Sequence, residues 1–335
     1  MASSGVFRIA VVGAGGISGA HAGAAKASDG RVRIVAVVDP IADGRAKLAT
    51  EWGAQAFDSV ASLLKAVGAG LEVDGVVVCT PPSVRVKIIE ACLKAKLPVL
   101  SEKPLAHTLA DAKKLASLVA KAKKVPAFVA YCHRFAPPVN TMKQLLADGK
   151  IGRLSRFENA FACDLPGHEG KWFSDPKKAG GGAYLDMGSH SLDLFHYIVG
   201  PATTVGAVLD HKWKKRTETA ATVLVKGTKK AGANVPAGVA GAIISGWAET
   251  SRFTLSLVGD KGMLFYDYEQ PNQLVFKDLL GKAETIEVSS HDSRFMHQLV
   301  AFADAVQSKK KSQLATFADG LAAAAMNDKA QKLAK

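Results

Sequence analysis

The amino-terminal segment constrains the fold most, because an apolar strand runs directly into a glycine-rich turn that opens a helix-like segment. Residues 6–12 form a short run rich in β-branched side chains, typical of a buried parallel strand. The run leads into a turn of sequence GAGGI, and a small-residue segment with helical character follows. Such a turn lets the backbone approach a pyrophosphate, whose charge rests on the helix N-terminus. The segment therefore predicts a dinucleotide site contacted by Gly13, Gly15, Gly16 and Ile17.

The second strand, residues 31–38, ends at an acid, Asp39. A carboxylate there accepts hydrogen bonds from both hydroxyls of an adenosine ribose and repels a 2′-phosphate, which favours NAD over NADP. The nearby Arg45 leaves room for NADP, and the alternative is that Asp39 only caps the next helix. The usual third glycine of the turn is replaced by Ser18, which is small enough for a contact between helix and strand.

Strands and helices then alternate, and two strand ends carry polar or proline-rich sequences. Residues 75–79 end at Thr80-Pro81-Pro82, and residues 98–100 are followed by Ser101-Glu102-Lys103-Pro104. The carboxyl ends of parallel strands are where α/β sheets bind ligands. We therefore expect cofactor contacts from Thr80, Pro81, Pro82, Glu102 and Lys103, although a surface pair of Glu and Lys would look the same. With residues 125–131 as the last strand, residues 1–133 are predicted to form a Rossmann domain with a six-stranded, doubly wound parallel sheet.

The carboxyl-terminal half has a different character. Residues 153–163 alternate apolar and charged side chains, and several strand-like runs separated by turns follow, including a hairpin turn at residues 259–262. This pattern predicts a large, open, mostly antiparallel sheet with one solvated or subunit-facing side. Residues 134–335 are predicted to form an α+β domain for substrate binding and oligomerisation, whose final helices could pack back on the Rossmann domain.

One segment of this second domain, residues 180–197, combines three consecutive glycines with Asp186 and His190. Residues four apart lie on one face of a helix. An imidazole that titrates near neutral pH, with a carboxylate one turn away, suits general acid–base chemistry. The alternative is an ordinary solvated pair. The glycines predict a loop without side chains that would keep a ligand away.

Substrate contacts are predicted in the loops expected to face the cleft between the two domains. A tryptophan beside polar groups suits the apolar face of a sugar ring, although each of these residues could equally be an ordinary loop or core residue. The predicted contacts are His133, Arg134, Asp164, His168, Lys171 and Trp172. His168 and Glu169 resemble metal ligands, but no second cluster completes a site, so no metal is expected.

Length and composition bound the remaining classes of function. A chain of 335 residues is expected to form two domains. The formal charge of +13 lies mostly in alanine–lysine stretches typical of solvated helix faces, so we expect no nucleic-acid partner. No run of eighteen apolar residues is present, and the first apolar run enters a glycine turn, so neither a membrane span nor a signal peptide is expected. Four widely spaced cysteines without a C-x-x-C pattern predict a reducing compartment, most simply the cytoplasm.

Taken in order, these motifs resemble those of the Gfo/Idh/MocA oxidoreductases, the group of glucose–fructose oxidoreductase and inositol dehydrogenase. The resemblance covers nearly the whole chain. It implies a Rossmann domain followed by an α+β domain whose sheet usually forms the subunit contact, and hence a homodimer or homotetramer. It also implies a catalytic set of Lys103, Asp186 and His190. In the family the histidine is usually the acid or base, the lysine steers the substrate oxygen, and the aspartate supports both.

The expected function is an NAD(P)-dependent oxidoreductase that transfers a hydride between nicotinamide and a secondary alcohol or ketone of a sugar, polyol or inositol. His190 could take the hydroxyl proton, and the Lys103 cation would stabilise the developing alkoxide, at a site expected where the two domains meet. Two alternatives remain open: a redox-assisted glycoside hydrolase with tightly bound NAD, and a regulator of the same fold that senses NAD or sugar without catalysis.

Overall fold

A computed structural model describes residues 5–308 and 312–334. The chain divides into two compact units. The first comprises Met1–Cys132 and Ser293–Leu321, and the second comprises His133–Asp292 and Ala322–Lys335. Ser293–Leu321 is thus grouped with the first unit. The expected domains at residues 1–133 and 134–335, with final helices that could pack back on the first domain, stay a prediction.

The strands are β1 (Phe7–Val12), β2 (Val32–Val38), β3 (Gln55–Phe57), β4 (Gly75–Val78), β5 (Val99–Glu102), β6 (Ala127–Ala130), β7 (Leu154–Asp164), β8 (Ala202–Asp210), β9 (Ala220–Gly227), β10 (Ala240–Gly246), β11 (Ala248–Gly259), β12 (Gly262–Asp267), β13 (Gln273–Asp278), β14 (Ala283–Glu287) and β15 (Ala315–Thr316). The helices are α1 (Gly16–Lys26), α2 (Ala42–Trp52), α3 (Val60–Gly68), α4 (Arg85–Lys94), α5 (Leu109–Lys121), α6 (Pro137–Ala147), α7 (Pro176–Ala179), α8 (Ser189–Ile198), α9 (Arg294–Gln307) and α10 (Phe317–Leu333).

The first unit is built on a seven-stranded sheet of order β15-β6-β5-β4-β1-β2-β3. Strands β1 to β6 are parallel to their neighbours, and β15 joins the edge antiparallel to β6. The central strand β4 is buried along its whole length, as expected where helices cover both faces of a parallel sheet. The predicted Rossmann architecture is confirmed.

Two details of this sheet differ from the sequence prediction. The short strand β3 pairs with β2 and was not among the predicted strands. Helix α3 follows it and begins at Val60, because Ser59 and Ser62 form a capping box at its N-terminus. The edge strand β15 was likewise not among the predicted strands. Strands of two or three residues are too short to leave a periodic pattern in the sequence.

The second unit is built on an eight-stranded sheet of order β14-β13-β12-β11-β7-β10-β9-β8. All its pairs are antiparallel except β7 with β10. Gly259 ends β11 and Gly262 begins β12, which confirms the predicted hairpin turn. Helix α8 packs on one face, where the rings of Phe157 and Phe195 lie 5.2 Å apart. The predicted mostly antiparallel sheet is therefore confirmed.

Within residues 5–308 and 312–334, none of the helices combines the length and the apolar character that a membrane crossing would need.

Candidate active site

The glycine turn between β1 and α1 exposes its backbone. Gly13 has φ +104°, and a Cβ there would lie 2.8 Å from the carbonyl carbon of Cys79, so β1 and β4 approach too closely for a side chain. At Gly15 and Gly16, by contrast, a Cβ would meet no atom within 4 Å. Helix α1 begins at Gly16 without an acidic residue in its first turn. Its free N–H groups form a surface suited to an anion.

Asp39 ties the end of β2 to this turn. Its Oδ2 accepts a hydrogen bond from the Ala14 N–H at 2.7 Å, and its Oδ1 accepts one from the Ile41 N–H at 2.8 Å. Helix α2 begins only after Ile41, so Asp39 does not cap it. Ser18, which replaces the usual third glycine, is buried and donates its hydroxyl to the Gly15 carbonyl at 2.5 Å. The Ser18 side chain thus adds a hydrogen bond inside the glycine turn.

The turn after β5 is held by Arg85, which sequence reasoning missed because it looked like an ordinary helix residue. Arg85 is buried, and its guanidinium donates to the Thr80 carbonyl from Nε at 2.9 Å and from Nη2 at 2.7 Å. It also donates to the carbonyls of Glu102, Lys103 and Pro104. Burial lowers the pKa of Arg85 to about 10, which still leaves it cationic at neutral pH. One buried cation therefore joins the ends of β4 and β5.

Glu102 points into this unit. Only 3% of the residue is exposed, and its Oε1 lies 2.8 Å from Nε2 of His21 on α1. Its Oε2 accepts the Lys103 N–H at 3.0 Å. Both carboxylate oxygens are engaged within the protein, which favours a structural role for Glu102. Its predicted contact with a cofactor stays a prediction.

The residues of this unit fit a dinucleotide. Strands β1, β4 and β5 are parallel neighbours, so their carboxyl ends bring the glycine turn, the Thr80-Pro81-Pro82 segment and Lys103 to one edge of the sheet. The buried Thr80 hydroxyl oxygen has no hydrogen-bond partner among the described residues. Open backbone at Gly15 and Gly16, a carboxylate at Asp39 and an unsatisfied hydroxyl are what a nucleotide with a ribose and a pyrophosphate requires.

The second unit holds Asp186 and His190, and the helix that carries them is irregular. Tyr184–Gly188 forms one π-helical turn, and α8 continues from Ser189. Such turns occur often at functional sites. Oδ2 of Asp186 accepts a hydrogen bond from Nε1 of Trp247 at 3.1 Å. The ring of His190 stands edge-on to the ring of His133, with 4.7 Å between centroids. The structure thus brings His133, a predicted substrate contact, next to His190.

The glycines around this turn serve close packing. A Cβ on Gly182 would lie 1.9 Å from the Glu218 carbonyl oxygen, and one on Gly188 would lie 2.4 Å from the Tyr184 ring. Glu218 is buried, and its Oε1 accepts the N–H groups of Gly182 at 2.7 Å and Tyr184 at 3.3 Å. Burial raises the pKa of Glu218 above its usual value. Gly182 therefore lets the chain pack against Glu218, and Gly188 lets it pack against Tyr184. Gly180 has a different role, because its φ of +81° is a conformation that favours glycine.

Two further predicted substrate residues have different surroundings. Arg134 forms a buried, two-pronged ion pair with Asp193, whose closest contact is 2.6 Å. Such a pair fixes the start of α6 to α8 and favours a structural role. Asp164 is exposed at the end of β7. His133, the neighbour of Arg134, shares a hydrogen bond between its Nδ1 and the Tyr268 hydroxyl, with 3.1 Å between the two atoms. Sequence reasoning missed Asp193 and Tyr268.

An aromatic cluster surrounds the remaining predicted contacts. The ring of His168 stacks on the ring of Phe173, with 5.2 Å between centroids, and lies 5.5 Å from the ring of Trp247. Phe173 also stacks with Trp172, at a centroid distance of 3.9 Å. Partial burial, and then the charge of Lys171, lower the pKa of His168. Trp247 therefore connects His168 with Asp186. Nothing in the sequence marked it, because it looked like the end of an ordinary strand.

The chain matches the models of one protein family over both units. Residues 7–131 match the oxidoreductase family with an NAD-binding Rossmann fold, and residues 139–265 match the GFO/IDH/MocA C-terminal domain. Among curated relatives, the rhizopine catabolism protein MocA of Rhizobium meliloti is 33% identical over 59% of each chain. Levoglucosan dehydrogenase of Pseudarthrobacter phenanthrenivorans is 25% identical over 70% of this chain and 66% of its own length. The D-glucoside 3-dehydrogenase of Escherichia coli is 29% identical over 64% and 59%. The matched part thus spans about six-tenths of these relatives.

Solved structures show the same fold over nearly the whole chain. An oxidoreductase domain protein from Kribbella flavida has a TM-score of 0.86 at 24% identity, covering 98% of this chain and 97% of its own. A levoglucosan dehydrogenase in complex with NADH and levoglucosan has a TM-score of 0.86 at 19% identity, with the same coverage. The glycine turn, Asp39 and the two successive domain matches lead to one conclusion: this chain belongs to the Gfo/Idh/MocA family of oxidoreductases.

Proposed function

We propose that this protein is an NAD(P)-dependent oxidoreductase that transfers a hydride between nicotinamide and a secondary alcohol or ketone of a sugar, polyol or inositol. The observation that carries the proposal is the fixed backbone of Lys103. Glu102 accepts its N–H, and Arg85 donates to the carbonyls on either side of it. Lys103 thus occupies a defined place at the sheet edge that presents the open glycine turn, where a cation can act on a reacting oxygen.

The chemistry assigned to the residues follows from their types. A bound nicotinamide would accept or supply the hydride, while the protein's own groups handle the proton and the charge on oxygen. His190 takes the hydroxyl proton, and Asp186 orients the His190 imidazole. Lys103 stabilises the developing alkoxide. His133 and His168 are proposed to contact the hydroxyl groups of the substrate, with Trp172 under its apolar face.

We propose that the protein prefers NAD as its cofactor and binds NADP more weakly. It rests on Asp39, whose carboxylate is held beside the glycine turn by the Ala14 N–H. A fixed negative charge at the ribose end repels a 2′-phosphate.

The names of the relatives define the substrate panel. They include levoglucosan dehydrogenase, D-glucoside 3-dehydrogenase and inositol 2-dehydrogenases. The purified protein is mixed with NAD or NADP and with levoglucosan, glucosides, free sugars, polyols and inositols, and reduced nicotinamide is followed by absorbance. Turnover of one compound group with NAD would support the proposal and name the substrate class.

Other results would favour one of the alternative functions over the dehydrogenase. Cleavage of a glycoside without net formation of reduced nicotinamide, detected as released sugar by chromatography, would indicate a hydrolase with bound NAD. Binding of NAD with no turnover and no cleavage across the panel would favour a sensor. Absence of nucleotide binding, measured by calorimetry, would contradict both the dehydrogenase and its alternatives.

We further propose that the sheet of the second unit joins two or four copies of the chain. Large apolar side chains stand exposed near one edge of this sheet: Val205 and Val208 on the edge strand β8, and Leu224 on the neighbouring strand β9. Burying them in a dimer would remove apolar surface from water. Light scattering should give the mass of a dimer or tetramer, and Val208→Glu with Leu224→Glu should lower it. Leu280→Glu, a change at a residue exposed on the turn between β13 and β14, is the matched control.

The proposed location is the cytoplasm. All four cysteines are free, and burial raises the pKa of Cys92 to about 12 and of Cys132 to about 11. Such thiols are unreactive and suit a reducing compartment. Fractionation of the source cells would test this location directly.

A further inference from the structure

We propose that His21 is a positioning residue for Lys103, acting through Glu102, and this inference rests on the proposed function. His21 lies on α1, five residues after the start of the helix that presents the glycine turn. It is fully buried, and neither the glycine turn nor the proposed reaction uses it. A buried imidazole against a buried carboxylate is costly unless each polar atom is engaged, so the arrangement calls for an explanation.

The hydrogen bonds form a short chain from α1 to the turn after β5. Nε2 of His21 lies 2.8 Å from Oε1 of Glu102, and Oε2 of the same carboxylate accepts the Lys103 N–H at 3.0 Å. One planar carboxylate thus joins the two residues, and its orientation fixes both contacts at once. Because the His21 side chain is wholly enclosed, it cannot shift without moving the carboxylate.

The partners of His21 also assign its proton. Nδ1 is buried and has no hydrogen-bond partner in residues 5–308 or 312–334, and the ring packs edge-on to Phe295 at 5.8 Å. A proton on Nε2 satisfies the carboxylate, while a proton on Nδ1 would leave a buried donor unused. His21 therefore serves as a single, directed N–H donor to Glu102.

The backbone of Lys103 is held on its other side as well. Arg85 donates to the carbonyls of Glu102 and Pro104 and, at 3.4 Å, to that of Lys103. With the N–H fixed by Glu102, the chain at Lys103 is restrained from both directions. Loss of His21 frees the carboxylate to rotate, which releases the Lys103 N–H and broadens the positions open to its ammonium group. A misplaced cation stabilises a developing alkoxide poorly.

The test compares three variants of the full chain. His21→Leu removes the donor, whereas His21→Gln offers a side-chain N–H that can reach the same oxygen. His107→Leu is the matched control, since His107 lies two residues before α5, pairs with Asp111 and has no part in the proposed chain of hydrogen bonds. Each variant is also made in a Lys103→Met background. The readouts are NAD affinity by calorimetry, kcat with the substrate found in the panel, and hydrogen exchange at the Lys103 amide, which needs no substrate.

The expected pattern is specific. His21→Leu should lower kcat about tenfold or more while NAD affinity stays within about threefold, and His21→Gln should recover most of kcat. In the Lys103→Met background, His21→Leu should change kcat by less than about twofold, because the residue acts through Lys103. Exchange at the Lys103 amide should be about tenfold faster in His21→Leu than in the parent and the His107→Leu control.

An equal fall of kcat in both backgrounds, a matching loss of NAD affinity, or unchanged exchange at Lys103 would overturn the inference. If His21→Leu does not fold, Glu102→Gln replaces it, because one amide cannot accept from both neighbours and should also speed exchange at Lys103. If the parent protein turns over no compound of the panel, the proposed function fails, and the exchange measurement alone decides the positioning role.

Discussion

Trp247 donates its indole N–H to Oδ2 of Asp186 at 3.1 Å, from a side chain that is 1% exposed. A hydrogen bond to a carboxylate contributes more than one between neutral groups, and this one fixes the aspartate proposed to orient His190. We expect Trp247→Phe, which keeps the aromatic packing, to lower kcat about tenfold with NAD affinity unchanged. Trp52→Phe in α2 is the control. Equal kcat in Trp247→Phe and the parent would show that Asp186 needs no such donor.

The catalytic assignment makes a separate prediction. Lys103→Met removes the cation, and His190→Ala removes the base, so each should lower kcat by about a hundredfold or more. NAD affinity should stay close to that of the parent, because neither side chain is needed for the glycine turn or Asp39. Steady-state kinetics together with calorimetry separate the two effects. A loss of NAD affinity as large as the loss of kcat would count against the assignment.

Asp39 is expected to set the choice between NAD and NADP. Asp39→Asn removes the negative charge while keeping an oxygen that can accept from Ala14 or Ile41. The ratio of kcat/KM for NAD to that for NADP should fall about tenfold, since repulsion of the 2′-phosphate is lost. Asp43→Asn, in the first turn of α2, should leave the ratio unchanged. An unaltered ratio in Asp39→Asn would assign the preference to other groups, Arg45 among them.

The sequence predicted features whose causes are local. The glycine turn, the acid at the end of β2 and the alternation of β7 each depend on neighbouring residues, so pattern and spacing revealed them. Features that depend on partners distant in the chain left no such pattern. His21 and Glu102 are 81 residues apart, and Trp247 and Asp186 are 61 apart. Each of these side chains looks ordinary until the fold brings its partner next to it.

The role of the three consecutive glycines at residues 180–182 also could not be predicted from the sequence. Their sequence indicated an open loop for a ligand, while the structure shows Gly182 packed against Glu218. Small size and conformational freedom are two properties of one residue, and a sequence does not say which of them is used. The π-helical turn at Tyr184–Gly188 was also unpredictable, because its extra residue alters hydrogen bonding without altering composition.

Glu218 makes stability depend on pH. Burial raises its pKa in the folded protein, so the native state holds this proton more tightly than the unfolded chain. Its contribution to stability is therefore complete below the usual carboxyl pKa and is lost as pH rises through the raised value. Glu218→Gln is neutral throughout and keeps an acceptor for Gly182. The stability of the variant relative to the parent should thus increase across that pH window.

Urea unfolding of Glu218→Gln and the parent, at several pH values from 4 to 8, tests this expectation. Glu287→Gln on β14 is the control, because Glu287 is exposed. Parallel curves for Glu218→Gln and the parent would mean that the hydrogen bonds from Gly182 and Tyr184 balance the effect of burial.

Gly182 is expected to be the least tolerant position of the segment that carries Asp186. A Cβ there would lie 1.9 Å from the Glu218 carbonyl oxygen and 2.8 Å from the Thr217 hydroxyl, and the first of these is a backbone atom that cannot rotate away. We expect Gly182→Ala to cost about 3 kcal/mol of unfolding free energy, seen as a fall of roughly 10 °C in Tm. Gly232→Ala is the matched control in the same unit, because a Cβ at Gly232 meets nothing within 4 Å.

The same substitution should also reduce activity, since the chain that must move leads directly into the turn bearing Asp186. For Gly182→Ala, kcat measured well below its lowered Tm should therefore fall, while NAD affinity, which depends on the first unit, stays unchanged. Equal Tm values for Gly182→Ala and Gly232→Ala would show that the loop relaxes around a methyl group. Close packing against Glu218 would then no longer explain the third glycine, and access for a ligand would become the better explanation.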